Sequence, residues 1–99
     1  MTLRVIFHEL AERELNDAAA YYYAQDRPGL GEAFLAEVER VVRLLAEKPM
    51  AGTSAGEDIL RWRLRRFPYA VIYRVRTDRI RILAIAAHKR RPSYWISRA

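Results

Sequence analysis

Few side chains in this sequence can carry a proton near neutral pH, and they stand toward its two ends. The histidines are His8 and His88, and Tyr94 follows in the closing stretch H-K-R-R-P-S-Y-W-I-S-R-A. Upstream of it, residues 59 to 65 set Arg61, Arg63 and Arg65 at alternate positions. An arginine-lined groove beside a histidine and a tyrosine is what a metal-free ribonuclease needs. Such an enzyme deprotonates a 2′-hydroxyl, stabilises a phosphorane and protonates the leaving oxygen. Arginine serves only the middle task. Of the eighteen cations sixteen are Arg, which stays protonated at every accessible pH, and only Lys48 and Lys89 can be tuned to release a proton. The base therefore has to come from His88, Glu57, Asp58 or Tyr94, a thin set. The chain is better stocked for holding a polyanion or an acidic helix than for acid-base turnover.

Other chemistries are excluded more simply. There is no cysteine, hence no disulfide framework, thiol nucleophile or thiolate metal site. No Gly-rich phosphate loop, H-E-x-x-H pair or nucleophile elbow occurs, so no cofactor and no metal are expected. His8 stands where a helix cap belongs, and a local hydrogen bond to backbone is its expected role. His88 closes a strand and can serve as an anchor for the tail.

The formal net charge of +6 is unevenly placed. Residues 1 to 56 carry six Arg/Lys against nine Asp/Glu, whereas residues 57 to 99 carry twelve against three. The basic second half favours an acidic partner, either nucleic acid or an acidic protein segment, through an attraction that salt weakens. A solvated basic face that maintains solubility is the plainer alternative. The run M-T-L-R-V-I-F-H is too short for a signal sequence, and no stretch approaches a membrane span. With cysteine absent, the cytoplasm is the expected location.

The elements that must position these groups follow from periodicity. Leu3, Val5 and Phe7 alternate and predict a strand. From Glu9 to about Gln25, Ala11, Leu15, Ala18 and Tyr22 share one helical stripe, and Glu9, Glu12 and Glu14 lie toward the positive end of the helix dipole. D-R-P-G interrupts at 26 to 29, and Pro28 is placed to open a second helix reaching Lys48, with Phe34, Val38, Val41 and Leu45 on its stripe and Pro49 ending it. Residues 50 to 56 read as a loop of small residues. A strand over 59 to 65 sets Leu60, Trp62 and Leu64 against the three arginines. Strands over 69 to 76 and 79 to 87 form a hairpin about Asp78. In the latter, Ile80, Ile82, Ala84 and Ala86 take one side and Leu83 and Ile85 the other, which predicts an internal strand whose second face is partly covered. The order β-α-α-β-β-β predicts one α+β domain over residues 1–99, a helical hairpin packed on one face of a mostly antiparallel sheet.

Segments L60-R-W-R-L-R-R-F-P-Y-A-V-I-Y-R-V, I80-R-I-L-A-I-A-A-H and R91-P-S-Y-W-I-S-R occur in order. They follow Ala11-x-x-x-Leu15, Tyr22 or Tyr23, Ala33-Phe34 and Pro49-x-x-Gly52. In this ordered set the chain resembles the RelE/ParE superfamily of type II toxins over nearly its whole length. The resemblance implies the same α+β fold and a toxin encoded beside a cognate antitoxin whose acidic amphipathic segment wraps and neutralises it. Two activities divide the superfamily. ParE-like members are associated with poisoning DNA gyrase and with plasmid maintenance; RelE-like members cut mRNA on the ribosome. Either would arrest growth.

His88, Arg91, Pro92, Tyr94, Trp95 and Arg98 look like the ParE branch, which implies a gyrase poison that is not an enzyme. RelE-like nucleases commonly place lysines where Arg61, Arg63 and Arg65 stand here. Other nuclease branches use Glu, Arg, His and Tyr, which Glu57, Arg65, His88 and Tyr94 could imitate, so a ribosome-dependent endoribonuclease is the alternative. The target- or antitoxin-binding residues implied are Arg61, Arg63, Arg65, Arg90, Arg91, Tyr94, Trp95 and Arg98. Trp95 is expected to pack against the sheet, with Pro92 stopping the strand and starting a helical turn that folds back on the domain. A third, non-toxic reading is a basic nucleic-acid-binding module with Tyr94 as a stacking platform.

Overall fold

In the computed structural model, which describes residues 2–91 and 93–98, a short strand β1 (Arg4–Phe7) leads directly into helix α1 (Glu9–Tyr23). His8 makes the junction: its Nδ1 accepts a hydrogen bond from the Leu10 N–H at 3.0 Å, the local cap its position implies. Helix α2 spans Leu30–Glu47 and starts two residues later than Pro28 suggests. Gly29 at the cap has φ 83°, a left-handed conformation that glycine adopts without penalty, and the α2 spiral begins after it.

The segment expected to be a loop holds a single 3-10 turn, Pro49–Ala51, and then strand β2 (Thr53–Gly56). β2 is an edge strand paired antiparallel with β3 (Ile59–Arg63), and its side chains are mostly exposed. Main-chain bonding alone defines such a strand, so it leaves no alternation of apolar residues to read. β3 also ends earlier than expected. Leu64 still donates to the Tyr69 carbonyl, but Arg66 at φ 70° turns the chain, and Arg65 lies beyond the strand.

Strands β4 (Tyr69–Val75) and β5 (Arg79–Ala87) pair as the expected hairpin, closed by Arg76 N–H donating to the Arg79 carbonyl. The sheet order is β1-β5-β4-β3-β2, with β1 parallel to β5 and every other pair antiparallel. Both helices pack on one face. Ala11, Ala18, Phe34, Val38, Val41 and Leu45 meet Val71, Tyr73, Ile80 and Ile82 there. Tyr22, Phe34, Phe67 and Tyr69 form an aromatic cluster at one end, with ring centroids 5.0 to 6.3 Å apart.

One expectation about β5 is corrected. Opposite Ile72 and Tyr73 its register shifts, Tyr73 facing Ile82 and Ile72 facing Ala84, so that Leu83 is an extra residue. This bulge reverses the alternation. Ile80, Ile82 and Ile85 face the helices, while Leu83, Ala84 and Ala86 face the opposite side with Ile59, Ala70 and Ile72. The coverage of that second face, expected from its apolar character, is supplied by Trp95, which is 5% exposed.

Candidate functional site

The second face of the sheet is where the arginines collect. Strand alternation points Leu60 and Trp62 at the helices and leaves Arg61 and Arg63 on the open side, together with Arg74, Arg79 and Arg81. Toward the hairpin end some of this charge is compensated, because Asp58 lies 3.5 Å from Arg74 and 3.4 Å from Arg76, and Asp78 lies 3.1 Å from Arg79. At the other end, where β5 runs out into His88 and the tail, a cavity of about 130 Å³ opens among Arg61, Arg63, His88, Arg90 and Trp95, floored by Ala70, Ile72 and Ala86.

The tail is fastened by a side chain that no motif singles out. β1 stops pairing with β5 at Phe7 and Ile82, and His8 N–H closes the ladder on the Ile82 carbonyl. Past that point β5 runs on to Ala87 without β1, and side chains satisfy its backbone. Ile85 N–H donates to Glu14 Oε1 at 3.1 Å, and the Leu83 carbonyl accepts from Arg98 Nη1 at 3.0 Å. Arg98 then grips Glu14 with both terminal nitrogens, at 2.9 and 3.0 Å, and Tyr94 donates its hydroxyl to Glu14 Oε2 at 2.9 Å. Arg90 adds a weaker contact to the same oxygen at 3.6 Å and stacks on the Tyr94 ring at 3.9 Å.

This clamp decides what several expected site residues are free to do. Arg98 is 9% exposed and spends its donors inside the fold. Trp95 meets Tyr94 edge to face and covers the second core. The expected helical turn at the tail is a run of turn structure over residues 93–97, and the part assigned to Pro92 lies outside the described residues. The Tyr94 hydroxyl is pushed up to about 12, first by burial and then by its hydrogen bond to Glu14 and the charge of that carboxylate. A phenol held that high keeps its proton at neutral pH and cannot act there as a base. Arg90, Arg91 and His88 remain exposed.

The alternative nuclease set is not brought together as a whole: Glu57 precedes β3, whereas Arg65 follows it and His88 lies beyond that same end, its N–H bonded to the Pro68 carbonyl. His88 lines the cavity with Arg61 and Arg63, whereas Tyr94 lines a groove with Glu14, Asp17 and Tyr21. Arg65 lies in a cleft with Arg40 and Trp62, its N–H bonded to Glu37 at 2.6 Å. Glu57 sits at the β2 to β3 turn beside Asp58 and Arg74. The depressions of His88 and Tyr94 adjoin at Ala87 and Arg90, and those of His88 and Arg65 at Arg61 and Arg63. Glu14, the residue that sequence reasoning missed, does carry a signal: it falls three residues after Ala11 and four before Ala18, an acid against the buried stripe of α1, and such an acid requires a partner.

Two helices over a five-stranded mixed sheet, with a cationic open face and a tail clamped across it, define a small α+β domain. Residues 5–92 match the family described as ParE toxin of type II toxin-antitoxin system, parDE, and the chain belongs to that family. A solved chain of the chromosomal ParDE TA system from P. aeruginosa shares the fold, with a TM-score of 0.74 at 20% sequence identity, covering 87% of this chain and 96% of that one. No curated protein sequence matches. Among the described residues, no helix is long and apolar enough to cross a membrane.

Proposed function

We propose that this ParE-family toxin acts in the cytoplasm by binding and poisoning DNA gyrase, and that a cognate antitoxin neutralises it through an acidic amphipathic segment. The observation that carries a binding rather than a catalytic role is the commitment of Tyr94 to Glu14, which withdraws one of the few proton carriers from chemistry. The placement of Glu57 at the opposite end of β3 from Arg65 and His88 supports the same choice over mRNA cleavage. The cations that remain, half-buried Arg61 with exposed Arg63 and Arg65 on and after β3 and exposed Arg90 and Arg91 before the tail, are suited to holding acidic surfaces. Growth arrest and plasmid stabilisation follow from such an activity.

The test is a supercoiling assay with purified toxin. Inhibition of supercoiling or accumulation of cleaved DNA complexes is expected, weakened by Arg91→Ala. Gyrase fully active at saturating toxin, with codon-positioned cuts in translated mRNA that His88→Ala abolishes, would replace this reading with the endoribonuclease.

A further inference from the structure

We propose that the cavity beside Trp95 is a carboxylate-reading pocket, the place where an acidic side chain of a protein partner docks on the toxin. Its rim is cationic. Among the described residues neither Arg61 nor Arg63 has a carboxylate partner, in contrast to Arg74, Arg76 and Arg79 farther along the same sheet. Arg90 completes the rim, and the carboxylate it contacts at 3.6 Å, Glu14, already holds Arg98 and Tyr94. Like charges set side by side on a strand face repel until an anion lies between them.

The wall adds a second, independent observation. Trp95 is only 5% exposed, yet among the described residues its indole Nε1–H has no hydrogen-bond partner. Buried indole donors ordinarily find an acceptor. Trp95 lines the same cavity as Arg61, Arg63 and His88.

The occupant is a peptide rather than a nucleic acid for two reasons. Binding single-stranded nucleic acid calls for exposed aromatic faces on which bases stack. Here Trp95 is buried, and the Tyr94 ring already carries Arg90 at 3.9 Å and Arg98 at 4.9 Å. The floor, moreover, is apolar: Ala70, Ile72 and Ala86 lie under the arginine rim. An amphipathic segment matches both parts, with methylene groups on the floor and the carboxylate among the guanidinium groups, which accept a planar carboxylate in bidentate geometry. In assigning the occupant to a protein segment we rely on the reading of a toxin held by an acidic antitoxin, for which this pocket supplies the point of contact.

The probe is a short synthetic amphipathic peptide of Glu, Leu and Ala, compared with its Glu-to-Gln counterpart and with a single-stranded oligonucleotide, each titrated into the intact toxin. The readouts are the Trp95 indole N–H resonance and the backbone amides of Ala86 to Arg90 in NMR spectra. The acidic peptide is expected to shift these signals and to bind roughly tenfold more tightly than the Gln peptide. Arg61→Gln and Arg63→Gln should each weaken it roughly tenfold, and Arg43→Gln, on the exposed face of α2, should leave it unchanged. Equal binding of the Gln peptide, or shifts confined to other regions, would overturn the assignment. Arginine-dependent shifts with the oligonucleotide alone would overturn it in favour of nucleic acid. Because gyrase takes no part, the two readings fail separately. Supercoiling inhibition without peptide binding sinks the pocket, and peptide binding with gyrase untouched sinks the gyrase target.

Discussion

Replacing Glu14 by glutamine keeps the shape of the clamp and removes its charge. One carboxylate receives the Ile85 N–H, the Tyr94 hydroxyl and both terminal nitrogens of Arg98, and the side chains of Glu14 and Arg98 are only 15% and 10% exposed. Removing one partner of a buried ion pair costs about 3–5 kcal/mol, because the remaining charge stays desolvated without compensation. Here the tail can peel away and return Arg98 to water, which sets the expected cost at the low end, about 3 kcal/mol. For a domain of this size that corresponds to a fall in Tm of roughly 12 °C or more. Urea unfolding measures the loss directly, and a double-mutant cycle with Arg98→Leu separates the pair from its surroundings. The double variant should fall short of the summed single costs by about 1.5 kcal/mol or more, since contacting residues do not act independently. A single-variant cost below about 1 kcal/mol, or additivity to within about 0.5 kcal/mol, would refute the clamp as the fastening of the tail.

Three further outcomes are expected. Tyr73 is fully buried, donates its hydroxyl to the Pro49 carbonyl at 2.8 Å and accepts from Gly52 N–H at 2.9 Å, so Tyr73→Phe should cost about 1.5 kcal/mol in urea unfolding. Gly52→Ala would set a Cβ 2.5 Å from the Tyr73 hydroxyl and 2.9 Å from the Arg61 carbonyl, an overpacking expected to cost about 1–3 kcal/mol and to lower Tm. The Glu37 carboxyl is held below its ordinary value of 4.5, first by the Arg40 guanidinium hydrogen bond and then by the Arg65 N–H, against an opposing push from burial. A folded pKa below the unfolded one means stability that is present above the unfolded value and lost as pH falls through the folded one. Wild type should therefore exceed Glu37→Gln in stability near pH 7, and the gap should close in unfolding curves taken below the ordinary carboxylate value; a gap independent of pH would exclude this linkage.

Periodicity made the architecture legible where one face of an element is buried. The stripe of Ala11, Leu15, Ala18 and Tyr22 and that of Phe34, Val38, Val41 and Leu45 both lie in the core beneath the helices. Leu60 and Trp62 against Arg61 and Arg63 gave the two faces of β3 correctly, because a period of two in a half-buried strand is the direct imprint of its pleat. β2 escaped notice for the converse reason: an exposed edge strand is made by main-chain bonds that every residue can offer. The sides of Ala84 and Ala86 were misjudged because a bulge inserts one residue without any mark in composition.

The chain itself determined its fold class, its charge asymmetry, the capping role of His8 and the packing of Trp95, since each rests on spacing, residue type or the simple size of an indole. Only the tertiary structure decided what the tail is. Glu14 and Arg98 are 84 positions apart, and nothing local joins them. They meet because β1 ends at Phe7 while β5 continues, leaving backbone groups at Leu83 and Ile85 that a carboxylate from α1 and a guanidinium from the chain end satisfy together. That meeting draws Tyr94 and Arg98 into the fold, sets Trp95 against the sheet and leaves Arg61, Arg63 and Arg90 around an open pocket.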